Sequence, residues 1–395
     1  MIEELSRPEV VDFMLRHEND DPRALVLARS KYPEIPVQLA VAQIQSRKKA
    51  KTKLPEWHAA QGVLFPHSVS LEQCSSEATA KYKTGLARGS RLIDLTGGTG
   101  IDTCYLSENF EQTTYVEQSE ELCQLARHNF NALQSKIDVW NGSAEDFIKL
   151  GRKATDWYYI DPARRDSHDH KVFQISDCSP DVIKLQERLF TKAENILIKF
   201  SPLLDITQVG RSLQHVSDIH VVSVDNECKE LLVVLKKGWT GTYTIHTVNI
   251  QKKEIQNFSF KEAEEAGAEP EFSMPQAYLY EPNSSVLKSG AFKIISQEFG
   301  LKKLHPNSHL YTSEKKVDGF PGRSFSVLGV EALKKASLKS YLKEGKANIA
   351  CRNFPLSVNQ IRKKTGIKEG GDTFIFATTL ISNKPALIIC RKEIS

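Results

Sequence analysis

Two short stretches carry residue types able to do chemistry. In "RLIDLTGGTGID", residues 91–102, Asp94 precedes Gly97, Gly98 and Gly100. Three glycines in four positions remove the Cβ atoms that keep a ligand off the backbone, so the turn is either a nucleotide cradle or only a tight bend. In "YYIDPARRD", residues 158–166, a carboxylate, a rigid proline and two guanidiniums follow one another as Asp161, Pro162, Arg164 and Arg165. Between the two lie Glu117, 23 residues after Asp94, and "NGSAEDF", residues 141–147, with Ser143, Glu145 and Asp146. A P-loop needs Lys-Ser or Lys-Thr after the glycines, and "GIDTC" offers neither. A dinucleotide fold needs G-x-G-x-x-G, which these glycines do not spell.

Cysteine and histidine chemistry is weaker. The seven cysteines (74, 104, 123, 178, 228, 351, 390) include no C-x-x-C pair, which argues against a zinc ribbon or a disulfide framework and fits the reduced thiols of a cytoplasm. Cys178 and Cys228 are the candidates for a nucleophilic thiolate, but neither has a supporting neighbour pattern, and packing is the better reading. His168 and His170 in "DSHDHK" have metal-like spacing but no cysteine partners, so solvated loop histidines and no metal are expected.

Elements of a definite kind must position these residues. Residues 1–72 have apolar side chains at helical spacing and predict a helical lobe, whose "RKKAKTK" carries five cations between Arg47 and Lys53. From about 90 to 238, short apolar runs ("SRLIDLT", "TTYVE", "IDVWNG", "DWYYID", "NILIKF", "IHVVSV", "ELLVVLKK") alternate with amphipathic helices such as "SEELCQLARHNFNAL". That alternation makes a parallel sheet covered on both faces. The last two runs are too close for a crossover and predict an antiparallel hairpin. Asp161-Pro162 then emerges at the carboxyl edge of the fourth strand, where ligands bind in such sheets. Residues 239–280 read as a linker or surface excursion. After it come "AYLYEP", a helix over "SSVLKSGAFKIISQEFG", "HLYTSE", and a final unit with helices over "LKKASLKSYLKEG" and "SVNQIRKKTG" among four strands. The expected boundaries are 1–72, 73–240, 241–323 and 324–395. With 53 basic and 49 acidic residues the net charge of +4 implies no nucleic acid by itself. No run of eighteen apolar residues exists and the N-terminus is not signal-like, so neither membrane nor export is expected.

In this order the stretches resemble class I S-adenosylmethionine-dependent methyltransferases. The resemblance implies that Asp94, Thr96, Gly97, Gly98 and Gly100 form the turn under the cofactor's methionine part, that Glu117 binds the ribose, and that Glu145 or Asp146 serves the adenine. Thr96 stands where many members have a glycine, a departure familiar among enzymes that modify nucleic-acid bases. "IDPARR" is similar to the D/N-P-P-aromatic motif of enzymes that methylate exocyclic amines. There Asp161 and Pro162 would orient the nucleophile, while Arg164 and Arg165 replace the stacking aromatic and could hold a base or phosphate. Lys199 and Ser201 in "KFSP" would join the substrate edge.

The wider chain is similar to a bacterial family of such methyltransferases with a C-terminal THUMP-like domain, through "LPEW", "LFP", "EQCSSEATAKYK", "DLTGGTGID", "IDPARRD", "IKFSPLLDI", "NECKELL", "YLYEPN", "HLYTS", "RNFP" and "GGDTF". It implies an α/β fold: a Rossmann-like methyltransferase sheet, an N-terminal helical lobe, and a C-terminal α+β region with ferredoxin-like and THUMP-like parts. "EQCSSEATAKYK" would form a helix closing over the cofactor, with Gln73, Ser76 and Lys83 as contacts. The THUMP-like part implies RNA binding, of tRNA or rRNA, by residues 324–392. Nine Lys or Arg against one Glu between Lys334 and Lys364 agree with that, among them Lys334, Lys335, Arg352, Arg362, Lys363 and Lys364. The expectation is methyl transfer from S-adenosylmethionine to a base of RNA. The alternatives are methylation of a protein amide or a small molecule, and a non-catalytic RNA-binding protein with a degenerate methyltransferase fold.

Overall fold

In the first half of the chain, polar side chains cap several of the helices that follow the strands. Two helices, α1 (Pro8–Arg16) and α2 (Val37–Lys53), form the body of the N-terminal lobe. After α3 (Glu77–Thr84) the elements are β1 (Gly89–Asp94), α4 (Ile101–Ser107), β2 (Phe110–Glu117), α5 (Glu120–Ala132), β3 (Ile137–Asn141), α6 (Ala144–Lys149), β4 (Thr155–Ile160), α7 (Val182–Phe190) and β5 (Ala193–Phe200). Ser119 and Ser143, just past β2 and β3, cap α5 and α6 by accepting from a backbone N–H of the first turn, which fixes where those two strands stop and their crossovers begin, and Asp181 caps α7 in the same way. The computed structural model describes residues 2–66, 68–151, 154–164 and 175–393.

All five strands are parallel, in the order β3-β2-β1-β4-β5. The chain turns one way from β1 to β2 and β3, then returns to the other side of β1 with β4. The switch point therefore lies between β1 and β4, where an open parallel sheet leaves a crevice at its carboxyl edge. The register carries the argument to single residues: Asp94 lies opposite both Tyr115 and Tyr159, and Ile160 opposite Ile198. The residues following these positions consequently share one edge. Ala50, Leu54, Trp57, Phe65 and Leu71 of the lobe are buried in the same cluster as Ile101, Tyr115 and Phe130 of the sheet region, so residues 1–72 and the strands that follow share a core.

The chain divides into two compact units, Met1–Ser217 with Leu232–Gly241 and Asp218–Leu231 with Thr242–Ser395. The expected hairpin forms from β6 (Val216–Val224) and β7 (Glu227–Lys236), and the division runs through it. Its two-residue turn, Asp225-Asn226, has φ of +48° and +65°, the backbone of a type I′ turn that favours Asp and Asn.

In the second unit the stretch expected as a linker over 239–280 instead holds two strands. β8 (Thr244–Ile250) runs parallel to β6, and β9 (Ile255–Lys261) pairs antiparallel to β8. The sequence hides them because β9 is mostly exposed and polar, with Phe260 alone fully inside. A second sheet follows, of β10 (Tyr278–Pro282), β11 (Tyr311–Ser313), β12 (Gly322–Glu331), β13 (Asn348–Arg352), β14 (Thr373–Thr379) and β15 (Pro385–Lys392). Its order is β11-β10-β12-β15-β14-β13, with a two-residue strand, Lys302–Lys303, outside β11. The helix expected over 284–300 breaks at Gly290, whose φ is +79°, into Ser284–Ser289 and Ile294–Glu298. The helix expected over 333–345 shrinks to Lys335–Leu338 and short 3₁₀ turns, with Leu338 its single buried helical residue and Glu344 at φ +53°. By contrast α8 (Val358–Thr365) forms as expected, between a Ser357–Gln360 capping box and Gly366 at φ +75°.

Candidate active site

The loop after β1 is held in shape from β2. Tyr115 is fully buried and donates its hydroxyl to Gly98 O at 2.6 Å. Its ring fills the space beside Gly97, where an added Cβ would lie 2.2 Å from Tyr115 Cε2; that close approach, rather than backbone strain, is what demands glycine there. Gly98 and Gly100 are the conformational glycines, at φ +54° and +80°. Glu117, at the end of β2, accepts from Gly98 N–H at 3.0 Å on one oxygen and from Ser119 N–H at 2.8 Å on the other.

Thr96 links the two stretches that the sequence singles out. Its Oγ1 accepts from Asp161 N–H at 2.6 Å, and its own N–H donates to Asp94 Oδ1 at 2.9 Å. Glycine could not make the first bond, which gives Thr96 a local reason. Asp94 also accepts from Thr103 Oγ1 at 2.5 Å. Burial pushes its carboxyl up to about 7, against those two hydrogen bonds.

Asp102, in the first turn of α4, is the centre of the site's charge network and was not legible as such in the sequence. It accepts from Ser75 Oγ at 2.7 Å and Tyr159 OH at 2.8 Å, and its oxygens lie 3.1 Å from Lys83 Nζ and 3.5 Å from Lys199 Nζ. Burial acts to raise its pKa, but Lys83 and Lys199 outweigh it and hold the carboxyl well below the usual range. Lys199 also meets Asp161 Oδ2 at 2.5 Å. Burial pushes the Asp161 carboxyl up while Lys199 opposes it.

One cavity of about 450 Å³ brings together most of the expected residues: Gln73, Asp94, Thr96, Gly97, Gly98, Glu117, Glu145, Asp161 and Lys199 line it, with Ser75, Asp102 and Tyr159. Others stand elsewhere. Gly100 caps α4. Asp146 is exposed and engaged with Ser143 and Lys149 at 2.7 and 3.0 Å, so of the two carboxylates in "NGSAEDF" it is Glu145 that faces the cavity. Ser76 caps α3 by accepting from Thr79 N–H, and Lys83 is fully buried on Asp102 rather than exposed to the cavity. The expected single helix over "EQCSSEATAKYK" is two, Ser68–Gln73 and α3, and the break at residues 74–76 supplies Cys74 and Ser75 to the lining. The Cys74 thiol is pushed by burial to about 11. Ser201 Oγ accepts from Leu203 N–H at 3.3 Å, and Ser201 is not in the lining. Pro162 is buried, and Arg164 pairs through its backbone with Cys178. Arg165, His168 and His170 lie outside the described residues. Cys178 and Cys228 do not line the cavity, and none of the seven cysteines is in a disulfide. Among the described residues no cluster of three or more His, Cys, Asp or Glu is placed to hold a metal, and no helix is long and apolar enough to cross a membrane.

The basic residues divide into structural and exposed groups. In α2, Arg47 Nη2 donates to His58 O, Lys49 meets Glu72, and Lys53 Nζ donates to Leu71 O and Glu72 O. In the second unit Arg352 pairs with the buried Glu281 at 2.8 Å, and Arg362 donates to Ile367 O and Ala347 O. Lys334, Lys335, Lys363 and Lys364 are exposed.

A parallel sheet whose switch point holds an acidic glycine turn, with a carboxylate–proline pair one strand away, defines a class I methyltransferase-type site. The relatives agree. The crystal structure of a "putative methyltransferase from Porphyromonas gingivalis W83" is 33% identical over 99% of this chain and 98% of that one, with a TM-score of 0.89. Residues 278–321 match a ferredoxin-like domain and residues 322–392 a THUMP domain-like family. The chain therefore belongs to the family of class I methyltransferases that carry a C-terminal THUMP-like domain. Two further structures align over less of it: a type I restriction-modification methyltransferase subunit (13% identity, 45% of this chain and 47% of that one, TM-score 0.35) and an rRNA methylase (14%, 40% and 93%, TM-score 0.30), both from Streptococcus thermophilus. None of the curated proteins matches the chain.

Proposed function

We propose that the protein transfers a methyl group from S-adenosylmethionine to a nitrogen of an RNA base. The donor set suits that cofactor. Among the described residues, Asp94, Asp102, Glu117, Glu145 and Asp161 line the cavity against one cation, Lys199, an excess of negative charge that attracts ammonium and sulfonium groups. Each Glu117 oxygen accepts one backbone N–H, leaving lone pairs for a ribose diol. A bound cofactor supplies a methyl group on a sulfonium, already electrophilic.

The observation that carries the reading is the state of Asp161. Its Oδ2 is fixed on Lys199 and its N–H on Thr96, so Oδ1 is the oxygen left to accept from an incoming amine. That bond orients the nitrogen lone pair, an alignment role. Because burial raises the Asp161 carboxyl, Oδ1 is also suited to hold the proton the nitrogen releases. The exposed lysines of the THUMP-like part supply phosphate contacts. These roles of the cavity residues, of Pro162 and of the two arginines after it belong to the proposal.

The test is transfer of labelled methyl to bulk tRNA and rRNA by the full chain. Label in RNA from wild type and none from Asp161→Ala, with cofactor binding retained, supports the reading. Full activity in Asp161→Ala, or label in protein or small molecules alone, contradicts it. Nucleoside mass spectrometry of cells lacking the gene then names the base.

A further inference from the structure

A second cavity, of about 530 Å³, lies in the helical lobe of the first unit. Its walls are mainly apolar and include Met14 and Leu15 of α1 with Ala60 and Val63 of the turn that follows the short helix Pro55–Ala59. Leu15 is 57% exposed, so the apolar lining continues to the surface. Four polar side chains also line it: Ser6, whose Oγ donates to Ile2 O at 2.8 Å, Gln61, Arg47 and His128. His128 of α5 has its Nε2 2.7 Å from Gly62 O and is spoken for. Arg47 is not.

The Arg47 guanidinium is half-buried and carries five N–H donors. Among the described residues it donates one hydrogen bond, from Nη2 to His58 O at 3.1 Å, and its Cζ lies 5.8 Å from the Phe65 ring centroid. Glu18, the carboxylate whose charge reaches it, is engaged with His58 Nε2 at 3.3 Å. Among the described residues, Glu18 offsets part of the guanidinium's charge without forming an ion pair with it, which leaves donors of a partly dehydrated group for a second anion. The forked donor geometry selects a carboxylate, and the walls select an apolar body behind it. Arg47 is the first cation of "RKKAKTK", and its place in a cavity wall argues for a small ligand.

We propose that this cavity binds an amphipathic monoanion, a carboxylate on an aliphatic body, with Arg47 as its counter-ion. The probes are decanoate and decanol, titrated calorimetrically into the full chain. Wild type is expected to bind decanoate saturably and about tenfold or more tighter than decanol, the ratio for one charge-assisted pair. Arg47→Met, which keeps an unbranched apolar side chain, should bring decanoate down to the affinity of decanol. Ala60→Phe, which fills the cavity, should remove both. Absence of saturable decanoate binding, a preference for decanoate that survives Arg47→Met, or binding that survives Ala60→Phe overturns the proposal. If Ala60→Phe does not fold, the Arg47→Met comparison decides alone.

Discussion

Replacing Lys83 by Met isolates the ion pair beneath the candidate active site. Lys83 is wholly inaccessible; its Nζ lies 3.1 Å from Asp102 Oδ1, 3.1 Å from Ser75 Oγ and 3.4 Å from Thr79 O. Removing one partner of a buried pair leaves the other charge uncompensated, at a cost of about 3–5 kcal/mol. Lys199 stays 3.5 Å from Asp102, which puts the expected loss at the lower end, about 3 kcal/mol, or roughly 10 °C in Tm for a unit of this size. All four tryptophans (57, 140, 157, 239) belong to the first unit, so tryptophan fluorescence reads its unfolding separately from the second. The pH dependence adds a check. Asp102 is held below its unfolded value, so its contribution is present above that value and is lost as pH falls through the folded one. Lys83→Met removes the larger of the two cations acting on it and should move acid unfolding to higher pH. Unfolding within about 0.5 kcal/mol of wild type, with an unchanged acid limb, would mean that the Lys83–Asp102 pair does not carry this stability.

Other perturbations test the remaining parts. Gly97→Ala sets a methyl 2.2 Å from the Tyr115 ring and should cost about 1–3 kcal/mol by overpacking, partly recovered in Gly97→Ala/Tyr115→Val, as read by the same fluorescence. Asp94, buried and raised to about 7, contributes stability that is full below its unfolded value near 4 and lost as pH rises through about 7. Asp94→Asn should flatten that part of the stability–pH curve. Lys363→Glu with Lys364→Glu should weaken binding to bulk tRNA and lower the slope of log affinity against log salt by about one for each phosphate no longer neutralised; an unchanged slope places RNA elsewhere.

The parallel half of the fold was legible because its strands are continuous apolar runs, and the hairpin because six residues cannot cross a sheet. β8 and β9 were not, since strands such as "IQNFSFK" put polar residues on an exposed face and look like surface loop. "LKKASLKSYLKEG" failed the other way: its leucines suggest a helical stripe, but Leu338 is the one buried helical residue, and Leu333 and Leu342 reach the same core only partly buried, from outside the helical turn. Asp94, Glu117 and Asp161 line one cavity, as expected of parallel strands that deliver their carboxyl ends to one edge. Asp102 and Tyr115 were missed because their roles depend on partners far along the chain, Lys83, Lys199 and Gly98, that spacing cannot reveal. Ser76 and Asp146 sit one position from lining residues, and the helix caps they belong to decide which neighbour faces the cavity.

Calorimetric titration of S-adenosylmethionine into the full chain decides whether the glycine-turn cavity holds that cofactor. Saturable binding at one site, weakened about tenfold by Glu117→Gln through loss of a charged hydrogen-bond acceptor and unchanged by Lys363→Glu, is the predicted result. No binding at millimolar cofactor, or binding indifferent to Glu117→Gln, would contradict it.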